Sequence, residues 1–402
     1  MALKTIYGDD MQIESISLKN FKSFQDTTMK DVPRMCVIVG ANGTGKSTFF
    51  DVFSFLKDAM TENVHKALSK RGGFREVRSR ESKGAIEIVI KFREAENSPL
   101  ITYELKIDEK NNKPYVKREV LRYRRGSKGL PWKFLDFKDG EGEAVTNELE
   151  NVKNIQALKR EHQTLANNTI LAIKGLAQFK QFPAIMSFGK LLENWHVSDF
   201  HINSARQVQD DGYAEHLSKE GENLSLVTQF LFEHHKNIFD NLLEKLSKRV
   251  PGVTQVEAKR TEEGRVLLKF QDGAFKDPFI ARYVSDGTIK MFAYLVLLYD
   301  PSPYPLLCVE EPENQLYPKL LLELAEEFRL YAQRGGQVLI STHSPDFLNA
   351  VEIEEVFWLK KQNGYTTIEK ASDYELIQNL VNEGDLMGYL WKEGLFEGVD
   401  PQ

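Results

Sequence analysis

The chain has 402 residues, 41% hydrophobic and 28% charged, which fits one large domain with an insertion or two modest domains and excludes a disordered tail. Lys and Arg number 53 against 59 Asp and Glu, a net charge of −6 without the basic excess of a nucleic-acid binder. The two cysteines, Cys36 and Cys308, sit in apolar runs with no CxxC, which excludes a disulfide framework and a cysteine-based zinc site.

Residues 1–30 contain no apolar leader, and the longest apolar run, 291–299, is well short of the roughly 18 residues that a spanning helix needs. The expectation is a cytoplasmic protein with no membrane contact. Residues 12–24 read as a strand, and a continuous apolar strand over 35–39 breaks at Gly40. From Ser47 the pattern turns helical, with Phe49, Phe53, Leu56 and Met60 on one face. Three β runs over 85–92, 100–107 and 115–123 suggest an antiparallel meander. Residues 126–250 read as mainly helical, most clearly where Leu224, Val227, Leu231, Ile238, Leu242 and Leu246 follow Asn223 as N-cap. Two β runs then bracket Glu262-Glu263-Gly264. A helix over 285–298, a buried strand over 305–309, an amphipathic helix through Leu316, Leu320, Leu324, Phe328 and Tyr331, and a buried strand over 337–340 follow. Strands alternating with helices at both ends of the chain predict one α/β core interrupted by an insertion. Its expected parts are 1–125, with the meander, the inserted lobe 126–250, and 251–402.

Gly40-Ala41-Asn42-Gly43-Thr44-Gly45-Lys46-Ser47 fits G-x-x-x-x-G-K-[ST], with the strand before it and the helix after it that a phosphate-binding loop requires. A chance glycine-rich turn would lack these flanks. Glycines let backbone N–H groups wrap phosphate oxygens at a helix N-terminus. Lys46 is then expected to reach the β- and γ-phosphates of a nucleotide, and Ser47 to ligate Mg²⁺. Leu306-Leu307-Cys308-Val309-Glu310-Glu311 describes a buried strand delivering two carboxylates at its C-terminal end, where ligands bind in open α/β sheets. One acid can hold the metal's water shell and the next can deprotonate an attacking water. Taken alone, Ser285-Asp286-Gly287 is an ordinary helix cap, and His343 after the last buried strand is an ordinary structural histidine. The order of the four elements gives both a functional reading.

That order resembles the ATP-binding-cassette (ABC-type) ATPases of the SMC/RecF/OLD group, more closely their stand-alone AAA-type relatives of bacterial phage-defence modules. The resemblance extends over Leu18-Lys19-Asn20-Phe21-Lys22-Ser23-Phe24, Arg71-Gly72-Gly73-Phe74, Gly221-Glu222-Asn223-Leu224 and Gly388-Tyr389-Leu390-Trp391. It implies an α/β, largely parallel ATPase core with an antiparallel β subdomain and an inserted, mainly helical lobe. Gly40, Asn42, Gly43, Thr44, Gly45, Lys46, Ser47 and Thr48 match the Walker A loop, and Glu310 the Walker B metal position. Glu311 matches the catalytic base, His343 the switch histidine and Asn314 the D-loop. Ser285 and Gly287 match the signature that contacts ATP held by an opposite subunit. The active form so implied is an ATP-bridged homodimer or higher homo-oligomer. Gln315 and Tyr317 depart from the family's Gly and His, and no glutamine is assigned to a Q-loop. The 59 residues after His343 are too few for the TOPRIM nuclease domain of OLD proteins, so a nuclease would be a separate polypeptide.

Residues 113–138 carry nine Lys/Arg and two acids, net +7, which leaves −13 for the rest of the chain. Tyr115, Tyr123, Trp132, Phe134 and Phe137 interleave those charges, making the stretch a candidate nucleic-acid surface. The alternative is a solvated hairpin with packed aromatics. The acidic stretch 372–402 is expected to pack Leu386, Leu390 and Trp391 on the core or on a partner. Two functional readings follow: an ATPase whose dimer switches on DNA or on a partner effector, in phage defence or DNA maintenance, and a slow nucleotide-gated scaffold holding a separately encoded nuclease or toxin. A transporter subunit or a P-loop kinase fits the insertion and the Ser285/His343 pair less well.

Overall fold

The computed structural model describes residues 11–95, 98–123, 132–146 and 160–396. Its central sheet has six strands in the order His196–Ser198, Leu306–Glu310, Gln337–Thr342, Met35–Val39, Val356–Gln362 and Tyr365–Lys370. Five run parallel, and the last returns antiparallel on its neighbour. Met35–Val39 is buried at every position, with Cys36 and Ile38 in one hydrophobic core and Met35, Val37 and Val39 in the other. A strand covered on both faces must be apolar throughout, which is why this stretch shows no alternation.

The second sheet is an antiparallel run of eight strands: Phe24–Lys30, Gln12–Phe21, Ile86–Arg93, Ile101–Lys110, Lys113–Tyr123, Trp132–Lys138, Glu141–Val145 and Arg160–Thr164. The helix Lys46–Thr61 contributes Phe49, Phe53, Leu56 and Met60 to the core it shares with this sheet. The other core surrounds the helix Asp286–Leu298, buried without a break from Thr288 to Leu298. A helix with apolar residues on every side must be enclosed. Here the helices Leu224–His234, Lys236–Arg249 and Pro318–Gln333 contribute to its enclosure.

Several expectations change. Described residues between 132 and 164 add three strands to the meander, and the first helix among the described residues of the expected lobe is Ala172–Leu176. The apolar pattern over 224–246 belongs to two helices, because His235 leaves the helical region at φ −134°, ψ 47°. Asn223 occupies the N-cap position as expected, but its side chain does not cap: it accepts from Ser218 N and donates to the His216 carbonyl, both at 2.9 Å. In the acidic stretch Leu390 is buried and Trp391 packs on the core, whereas Leu386 is exposed; Glu397 and Asp400 lie outside the described residues.

The basic stretch looks different in three dimensions. Arg124, Arg125 and Lys128 lie outside the described residues. Of the others, Arg118 and Lys133 share Asp136 at 3.1 and 2.6 Å, Lys117 pairs with Asp108 at 2.7 Å, and Arg122 with Glu104 at 3.6 Å. Asp108 and Glu104 come from the adjacent strand, outside the sequence window that sums to +7. Phe134 and Phe137 are buried, and Tyr123 stacks on Phe134 at 4.1 Å, so these rings hold the hairpin together.

Candidate nucleotide-binding and hydrolysis site

Parallel pairing brings the C-terminal ends of four strands to one edge. Thr342 stands beside Val39, Glu310 beside Ser341, and Ser198 beside Val309. The loops that follow these ends therefore meet.

The loop after Val39 needs its glycines. A Cβ on Gly40 would sit 2.4 Å from Thr44 Oγ1, and Gly43 and Gly45 have φ of 81° and 108°. Lys46 lies buried across the loop, donating to the Gly40 carbonyl at 2.7 Å. Burial lowers the pKa of its ammonium, against the opposing pull of Glu311, Glu313 and Glu310. No side chain caps the helix at Gly45, so its first N–H groups can receive phosphate oxygens. Asn42 and Ser47 are exposed and Thr48 is half-buried.

The returning hairpin Val356–Lys370 grips this loop. Thr366 Oγ1 donates to the Thr44 carbonyl at 2.7 Å, and Lys361 Nζ to that of Gly43 at 3.0 Å. Neither contact has a local sequence signal, since each closes over more than 300 residues.

Glu310 accepts a hydrogen bond from Ser47. Burial raises its carboxyl above the ordinary range, with Asp199 adding to the rise and Ser47 opposing it. Asp199 follows His196–Ser198, and its proximity to Glu310 was not visible in the sequence. Glu311 turns sharply, with φ of 42°, and its N–H donates to the Ser341 carbonyl at 3.0 Å. Its carboxylate lies 3.8 Å from Lys46 Nζ and 3.3 Å from His343 Nδ1, and accepts from Asn314 Nδ2 at 3.0 Å. Burial pushes that carboxyl up, but the Asn314 bond and the fields of His343 and Lys46 together hold it below its usual value. Glu313, buried, accepts from Thr342 Oγ1 at 2.7 Å and from His343 N at 2.9 Å, fixing the histidine loop.

Lys46, Ser47, Glu310, Glu311, Asn314 and His343 thus form one constellation. Ser285 and Gly287 face a different groove. Ser285 caps its helix, accepting from Thr288 N at 3.3 Å. With Gly287, Gln315, Tyr317 and Lys319 it lines a groove of about 500 Å³ to which the loop 40–47 contributes nothing. Behind them, Lys290 is buried and its pKa is pulled down to about 8 by that burial. It too was not singled out by sequence.

Comparison with known proteins bears on the family and the fold. The chain is 22% identical over 402 residues to a Helicobacter pylori (strain ATCC 700392 / 26695) protein named ATP/GTP phosphatase, covering 94% of this chain and 100% of that one. Two solved structures share the fold. One is an SMC head bound to the C-winged helix domain of ScpA (TM-score 0.50, 15% identity, 89% of this chain and 97% of that one). The other is an SMC head with an extended coiled coil bound to the C-terminal domain of ScpA, derived from Pyrococcus furiosus (TM-score 0.52, 12% identity, 93% and 100%). The family described as AAA domain, putative AbiEii toxin, Type IV TA system matches residues 35–349. The chain belongs to that family, and its fold is shared with SMC heads.

Proposed function

We propose that the protein hydrolyses ATP at a site shared between two copies of the chain, and that the resulting movement acts on a separately encoded partner. The observation that carries this reading is the division of the site: phosphate loop, acids and histidine in one constellation, Ser285 and Gly287 on a separate groove. The loop N–H groups and Lys46 bind the β- and γ-phosphates. The Ser47 hydroxyl and Glu310 carboxylate are a donor set that suits Mg²⁺, which takes one or two protein oxygens together with phosphate and water. Bound there, the ion would neutralise charge on the phosphate oxygens.

Glu311 is positioned to take a proton from the attacking water as that oxygen bonds to the γ-phosphorus and the bond to the β-phosphate oxygen breaks. Its lowered pKa keeps it ionised. His343 and Asn314 orient the carboxylate. Ser285 and Gly287 of one copy contact the γ-phosphate held by the other, so neither subunit is complete alone. Steady-state turnover of Glu311→Gln is expected to fall roughly 10²- to 10⁴-fold with nucleotide affinity retained. Unchanged turnover would sink this assignment of the base.

A protein partner is favoured over nucleic acid, because the described charges of 113–138 are largely paired and two of its aromatic rings are buried. The family's association with toxin–antitoxin systems, and the ScpA domains seated on both SMC heads, support a role in phage defence or DNA maintenance with an effector encoded separately. In the slow-turnover form of this reading, ATP holds that effector in store. Co-purification with neighbouring gene products in the presence of ATP, followed by sizing, distinguishes the two: an effector released on hydrolysis marks the store.

A further inference from the structure

Lys290 lies on the second turn of the helix that begins at Asp286, inside the hydrophobic core, and is 3% exposed. A buried ammonium persists only where hydrogen bonds and opposite charge replace water. Its Nζ donates to the Asn314 carbonyl at 2.8 Å and comes within 3.5 Å of the Glu311 carbonyl. Glu313, Asp199 and Glu311 surround it with negative charge. The ammonium therefore sits under the turn 311–315, which begins and ends in the left-handed region, at Glu311 (φ 42°) and Gln315 (φ 66°). Backbone of that kind is kept only when its surroundings over-determine it.

The same helix start is tied elsewhere. Arg206 donates to the Val284 carbonyl and pairs with Asp286 at 2.6 Å. A Cβ on Gly287 would come within 3.2 Å of the Gln315 carbonyl, so the helix and the turn touch directly.

We infer that Lys290 is a positioning residue for Glu311, pinning the carbonyls of the 311–315 turn and thereby making the carboxylate's aim depend on where the Ser285–Gly287 helix start sits. A second copy pressing on Ser285 and Gly287 then moves Lys290 and, through it, the base. The inference rests on the hydrolysis reading above and adds to it a path from the groove to the reacting water.

The test compares wild type, Lys290→Met and Lys290→Arg in steady-state ATPase, with nucleotide Kd measured alongside. Lys290→Met is expected to lower kcat roughly ten- to hundredfold, the loss that a misplaced catalytic group produces, while KM and Kd stay within about twofold. Lys290→Arg, which keeps charge and donors, recovers most of kcat. In a Glu311→Gln background, Lys290→Met should lower the residual rate by less than about threefold, because both changes act through one group. The inference is overturned if Lys290→Met turns over within twofold of wild type, if KM rises at constant kcat, or if the two losses multiply. Should Lys290→Met not fold, Lys290→Gln carries the same measurements, since it removes the charge and shortens the reach to the 311–315 carbonyls while tolerating polar surroundings. A wild type without ATP turnover defeats the hydrolysis reading; normal turnover in Lys290→Met defeats only this inference.

Discussion

Glu119 shows what burial does to an acid that has hydrogen-bond donors but no cation. It is fully enclosed between the meander and the helix Ala172–Leu176, accepting from Ala172 N at 2.5 Å, Ile173 N at 3.2 Å and Tyr103 OH at 3.0 Å. Loss of solvent outweighs those three bonds and lifts its carboxyl from 4.5 to about 7. A raised carboxyl favours the protonated folded state, so the stability it confers is present below the unfolded value of 4.5. That stability is lost as pH rises towards 7. The change over that window is about 3 kcal/mol for this one group. Chemical denaturation of the wild type between pH 4.5 and 7 should show this decline, and Glu119→Gln should flatten it. The basis would be wrong if both proteins lost stability in parallel. In the site, Glu311 moves the opposite way because a histidine, a lysine and an amide face it.

Glu327 acts between elements. On the helix Pro318–Gln333 it is wholly buried, accepting from Arg249 and Lys245 of Lys236–Arg249 at 2.5 and 3.0 Å and from Tyr299 OH at 2.7 Å. Glu327→Ala leaves Arg249 with Glu323 alone, at 3.3 Å, and removes the shared acceptor of Lys245 and Tyr299, so it should destabilise the fold by about 1–3 kcal/mol, read as a lower urea midpoint at unchanged slope. Elements whose signal is local were legible in the sequence: the apolar strands 35–39 and 306–309, the Phe49/Phe53 helix face and the glycines of 40–45. Arg160–Thr164 was not, because its residues are polar on both faces and only pairing with Glu141–Val145 makes it a strand. The break at His235 was hidden because apolar spacing continues in phase across it. Thr366, Lys361, Asp199 and Lys290 were invisible for another reason: each matters through a partner far along the chain, and no spacing rule connects them.

For the whole molecule, a divided site predicts complementation. Lys46→Ala damages the phosphate loop and Ser285→Arg the groove, so each protein alone should be inactive. Mixed in equal amounts, half of the pairs would carry one intact site, restoring up to about a quarter of wild-type turnover. No recovery in the mixture, with both variants folded, would count against the shared site. The order of the central sheet has a further consequence, concerning time. The strand that launches the phosphate loop lies between Gln337–Thr342 and Val356–Gln362, and Thr366 closes on Thr44 from 322 residues away. At the usual pace of synthesis those partners emerge roughly 15 to 60 seconds after the loop itself. Until then the strand has neither neighbour, and the loop lacks its contacts from Lys361 and Thr366. Nucleotide capture is then expected only after the acids and the histidine have also been made, and nucleotide binding by chains stalled before residue 337 would count against that order.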